Sequence, residues 1–119
     1  VTVLDTAVIA RLGTDLGDPC FVRRFVATYR DMLPGRVQRV FAALETGDSD
    51  DLMDAVLSLR TSSTTVGATA LAALADDVEQ QVRRCDPAGA RRAVRHLRGT
   101  ADRTSQALEQ HGAGFLQLP

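Results

Sequence analysis

This 119-residue chain is poor in aromatic residues and wholly without lysine and tryptophan, and each absence narrows what it can do. Rings make up 4% of it, too few to form a row on which nucleic-acid bases would stack. All 14 basic side chains are arginines, set against 15 acidic ones, and the formal net charge of -1 gives no overall attraction to nucleic acid or an anionic membrane. The two cysteines, Cys20 and Cys85, lie far apart with neither a Cys-x-x-Cys nor a Cys/His spacing. They indicate no disulfide framework and no metal site, and read as reduced, half-buried thiols. No apolar run approaches the ~20 residues that cross a bilayer, and the first residues lack the basic-then-apolar order of a signal peptide. The expectation is a cytoplasmic protein without a membrane partner. The chain begins with Val1, so an alternative start, a processed terminus and a segment of a longer protein all stay open.

The apolar residues that are present, 45% of the chain counting alanine and cysteine, recur at helical spacing, and strict alternation never persists. An all-α fold follows. A short lead helix begins at the cap Asp5, faces Val8, Ile9 and Leu12 inward, and stops at Gly17. Asp18-Pro19 opens a long second helix carrying Phe25, Tyr29, Leu33, Val37, Val40 and Leu44 on one face to about Thr46. Pro34-Gly35 falls inside it, and the unbroken apolar phase favours one kinked helix over two. Ser49 or Asp50 caps a third helix, with acidic residues in its first turn, that runs to about Val66 before Gly67. A fourth runs through Leu71, Leu74, Val78 and Val82 to Arg84. Asp86-Pro87 starts a fifth that turns Ala90, Val94, Leu97, Ala101, Thr104 and Leu108 inward and frays near His111-Gly112. Residues 1–111 thus read as one domain, an antiparallel four-helix bundle with a short N-terminal lead helix. Residues 112–119 read as a loose tail, although Phe115, Leu116 and Leu118 are apolar enough to dock.

The segment Leu52 to Ala68 carries the functional signal. At about 100° per residue, Leu52, Val56, Leu59 and Ser63 share one narrow sector and form its core face. Leu57 lies outside that sector, on an outward strip with Met53, Thr61 and Thr64 and with Arg60 at its border. The segment resembles the active helix of histidine phosphotransfer (HPt) domains, whose pattern is Ala-His-x-Leu-Lys-Gly-Ser-(Ser/Ala)-x-x-Leu-Gly-Ala. Aligned from Gly67-Ala68 backward, Val66, Ser63, Ser62, Arg60, Leu59 and Val56 match or conservatively replace the pattern. The phosphorylated histidine falls on Leu57, which has no lone pair to attack a phosphoryl group.

What the resemblance implies is an HPt-like bundle and a place in a two-component phosphorelay, with a receiver domain or histidine kinase as partner and no cofactor. Arg60 then stands where the family's lysine offsets phosphate charge, and Thr61 where a glycine leaves room for the partner. With nucleophile and clearance both altered, the expectation is a non-catalytic module that binds through Met53, Leu57, Arg60, Thr61 and Thr64. The bland reading of Leu57 is a tolerated surface leucine. A second possibility is an active phosphocarrier at His96, whose His-Leu-Arg-Gly-Thr-Ala setting looks like the pattern with one residue deleted; that deletion rotates it by about 100° from its support. A third is an unrelated bundle that scaffolds an oligomer. Arginines from Arg83 to Arg103 gather charge near the last two helices, but without interleaved aromatics they read as a solvated surface.

Overall fold

The computed structural model describes the backbone of residues 2–116 and, within it, every side chain except those of Leu16 and residues 112–116. Six helices follow in order: α1 (Thr6–Leu16), α2 (Pro19–Thr46), α3 (Ser49–Thr65), α4 (Thr69–Arg83), α5 (Pro87–Val94) and α6 (Leu97–Leu116). Among the described residues there is no strand.

Aspartate starts four of these helices by one device, a carboxylate accepting from amides that the helix itself leaves unpaired. Asp5 accepts from the Ala7 amide at 3.1 Å, Asp18 from those of Cys20 and Phe21, Asp48 from Asp51 at 3.0 Å and Asp86 from Gly89 at 2.9 Å. The cap of α3 is therefore Asp48, one residue before Ser49 and two before Asp50, the caps expected. Asp48 keeps an extended backbone, with φ -82 and ψ 100, which aims its carboxylate along the first turn. Asp50 and Asp51 occupy that turn, at the positive end of the helix dipole.

Helix α2 runs through Pro34 without a break. Proline removes one amide donor, but Val22, Tyr29, Leu33, Val37, Val40 and Ala43 are buried on both sides of it, so one packed face runs through the whole helix. Helix α3 packs between α2 and α4; α4 in turn meets α5 and α6, and α6 closes against α2. The last long helix is not continuous as expected. The Arg95 amide still reaches the Arg91 carbonyl, but the His96 amide bonds Ala93, three residues back, and this tighter turn separates α5 from α6. The inward phase survives it: Ala90, Val94, Leu97, Ala101, Thr104 and Leu108 are all buried. Helix α6 continues through Leu116, past the His111-Gly112 position where fraying was expected. The side chains of Phe115 and Leu116, and Leu118 altogether, lie outside the described residues, so their docking is not addressed.

The cysteines depart from expectation in being exposed. Cys20 sits in the outer first turn of α2, and Cys85 in the turn after α4 with a positive φ of 55°.

Gly67 joins α1 to the bundle. Its φ of +76° is the left-handed conformation that ends α3, and its carbonyl accepts from the Asp5 amide at 2.7 Å. A Cβ there would stand 2.5 Å from the Asp5 carbonyl oxygen and 3.0 Å from Val8 Cβ. Gly67→Ala should cost about 2–3 kcal/mol, combining left-handed strain with displacement of the lead segment. Gly35→Ala, at an exposed helical site with nothing within 4 Å, should gain about 0.5–1 kcal/mol. Urea unfolding of both variants checks the contrast, and equal effects would show that Gly67 carries no special constraint.

Candidate functional site

Helix α3 presents the site, and its orientation comes from its buried side. Leu52, Val56, Leu59 and Ser63 are at most 6% exposed, as the helical phase requires. Thr61 and Thr64 are exposed, whereas Met53, Leu57 and Arg60 are half-buried. Leu57 is thus less open than expected. Counting about 100° per residue, it lies about 130° from the core direction, on the flank where Arg60 reaches across to α4.

Arg60 is held by α4. Its guanidinium pairs with the Glu79 carboxylate at close range and with Asp76 at 3.5 Å. Glu79 also accepts from Arg83 at 2.9 Å. The Glu79 side chain is only 6% exposed, so one nearly buried anion holds two cations. Asp76 and Glu79 were missed in the sequence. The usable signal was the place of Glu79, beside Val78 and four residues after Ala75, at the margin of a stripe that is otherwise apolar.

On the opposite flank α2 covers α3 with polar groups. Arg36 donates to the Ser58 hydroxyl at 2.8 Å, to the Ser62 hydroxyl at 3.3 Å and to the Ser58 carbonyl at 3.4 Å. Deeper in the same interface the Tyr29 and Ser63 hydroxyls are hydrogen-bonded at 2.8 Å, both buried. Hydroxyl residues crowd the end of α3, and their side chains are satisfied locally. Ser62, Thr64 and Thr65 each donate to the carbonyl four residues back, within 2.9 Å.

His96 is exposed at the α5–α6 turn, on a different element from Leu57. Of the arginines near it, Arg98 lies 4.3 Å over the Phe41 ring and donates to Gln38, and Arg103 donates to Thr100. Among the described residues, no cluster of His, Cys, Asp or Glu suits a metal ion, and no helix is long and apolar enough to cross a membrane.

The Hpt domain family model matches residues 24–110. The chain belongs to the Hpt domain family. Its bundle is similar to the crystal structure of histidine-containing phosphotransfer protein B (HptB) from Pseudomonas aeruginosa PAO1, with a TM-score of 0.83 and 22% identity over 93% of this chain and 95% of that one. No curated protein matches the chain. The reading as an unrelated scaffold falls with the family match, and the bundle expected from helical periodicity is the Hpt fold. Helix α1 precedes the residues that the family model matches, but the structural match covers 93% of this chain, more than could be reached without part of the lead helix.

Two substitutions test how the site is held. Glu79→Gln should cost about 1–2 kcal/mol, below the 3–5 of a fully buried pair, because Arg60 and Arg83 are 36% and 59% exposed and remain hydrated. Tyr29→Phe should cost a similar ~1–2 kcal/mol at neutral pH by leaving the Ser63 hydroxyl unpaired. Burial raises the Tyr29 phenol above its ordinary 10.0, against smaller opposing effects of the Ser63 hydrogen bond and the Arg36 charge. A raised folded value means that the Tyr29 contribution is complete below pH 10 and is lost as pH climbs toward the folded pKa. The stability gap between the native chain and Tyr29→Phe should therefore narrow on the alkaline side. Denaturant titrations at neutral and alkaline pH measure it, and a constant gap would contradict the assignment.

Proposed function

We propose that this Hpt domain is a phosphotransfer-incompetent signalling module that works in the cytoplasm by binding a receiver or histidine kinase domain. The observation that carries this reading is the pairing of Leu57 with a sequestered Arg60. Phosphoryl transfer from an aspartyl phosphate needs an imidazole nitrogen to attack phosphorus and a nearby cation to offset the incoming charge. At the position that matches the family's histidine stands a hydrocarbon side chain, and the neighbouring cation already faces Glu79 and Asp76. An incoming phosphoryl group would compete with two carboxylates for that guanidinium.

What supports binding is the surface that remains. Met53, Leu57, Arg60, Thr61 and Thr64 form a strip of apolar and small polar side chains along α3. On the α2 side, Met32 is a further apolar side chain, 46% exposed, and the Arg36 guanidinium approaches its sulfur at 3.8 Å. A partner's helix can bury such a strip without any covalent step. The alternative, a phosphocarrier at His96, has only that side chain's exposure in its favour. No described carboxylate or hydroxyl pairs with the His96 ring to orient it.

Incubation with radiolabelled, phosphorylated receiver domains tests the reading. The native chain should acquire no acid-labile phosphate while still retaining a receiver or kinase domain in a pull-down, and Leu57→Asp should abolish that retention. Leu57→His, alone or with Thr61→Gly, should gain measurable phosphate acceptance. Labelling of the native chain that disappears in His96→Ala would overturn the incompetent reading. A Leu57→His variant that keeps its helicity and its receiver binding yet takes no label would overturn the proposed correspondence of position 57.

A further inference from the structure

A second surface lies away from the α3 strip, in the groove between the C-terminal half of α2 and α5. It is open, with a volume of about 610 Å³, and its floor is apolar: Phe41 and Leu44 from α2, Val94 from α5. Arg91, Arg92 and Arg95 line its α5 side, and Glu45 is the one acidic residue there. All three arginines are exposed, and among the described residues none of them is in an ion pair. Arg98 adds a fourth cation next to the groove, laid over the Phe41 ring.

Helix ends explain part of this. Arg91 and Arg92 occupy the last turn of α5, where cations complement the helix dipole. That accounts for basic residues at the position, but not for an apolar floor left open between them and α2.

We propose that this groove is a docking site for an acidic polypeptide segment, which seats an apolar side chain on Phe41 and Leu44 and sets flanking carboxylates against Arg91, Arg92 and Arg95. Charge complementarity selects the occupant: three guanidinia without carboxylate partners line one side of a half-buried apolar patch, and bidentate pairing with carboxylates is what guanidinium geometry favours. Nucleic acid fits less well, because the groove holds one ring and Arg98 already covers a face of it, leaving no platform for successive bases. A bilayer fits less well too: among the described residues the large hydrophobics that project are Phe21 and Met32, which are outside the groove. A second copy, related by a two-fold axis through the groove, would bring like-charged arginines together.

The test uses the full chain, labelled with nitrogen-15, and a short peptide with one Leu-Phe pair flanked by Glu and Asp residues. Backbone shifts should move at Phe41, Leu44, Val94 and Arg95 and leave Met53 to Thr64 in place. Arg91→Ser, Arg92→Ser and Arg95→Ser combined should weaken binding about tenfold, since three exposed ion pairs are lost, with circular dichroism unchanged. Binding should fall as salt rises, and again when the Leu-Phe pair becomes Ser-Ser. The proposal is overturned if the peptide does not bind, if its shifts map to α3, or if the triple variant binds equally well. It is also overturned if oligothymidylate or phosphatidylglycerol vesicles occupy the same residues more tightly than the peptide.

Discussion

Burial of one stripe on α3 determines the rest of the molecule. Leu52, Val56, Leu59 and Ser63 point into the bundle, and a helix is stiff enough that fixing four directions fixes the others. Ser58 and Ser62 are thereby turned toward α2 and Arg36, and Arg60 toward α4 and Glu79. Thr61 points straight out. The proposed binding strip is what remains after packing has taken its share, so a residue on it can differ from the family pattern without disturbing the core. Substituting a side chain that the core does not use leaves the stripe, and hence the fold, as it was.

Much of this was legible in the sequence, for a definite reason. The capping aspartates and the Asp-Pro pair at 18–19 mark helix starts by local chemistry, and the stripe in α2 from Val22 to Ala43 is long enough to fix its phase despite Pro34. The motif from Leu52 to Ala68 identified the family because its buried positions are kept. What could not be read was whatever depends on a second helix. That Arg60 meets Glu79 is a property of the α3–α4 register, and no local pattern encodes it. The turn at His96 was hidden for the opposite reason, since the apolar phase passes through it undisturbed and the tighter turn leaves no mark on the spacing. The depth of Leu57 was likewise set by its neighbours, while periodicity supplied its direction alone.

The polar groups inside the bundle differ in what they hold. Tyr29 and Ser63 satisfy each other in a buried interface, a hydroxyl pair that bears on how α2 sits along α3. Glu79 is nearly enclosed, and it is shared by two partly exposed arginines. The first arrangement favours a unique packing at modest cost; the second ties the surface cation to the interior.

The hydrogen bond from Asp5 to Gly67 bears on the order in which the chain assembles. Helices α2, α3 and α4 each pack on the next in sequence, so those interfaces form over short loops and need little prior organisation. The lead helix has no such neighbour relation to Gly67. Its acceptor exists only once α3 has ended in the left-handed turn and α4 has begun. Helix α1 therefore meets α2, its neighbour in the chain, over a short loop, whereas its hydrogen bond to Gly67 ties the start of the chain to the distant α3–α4 turn.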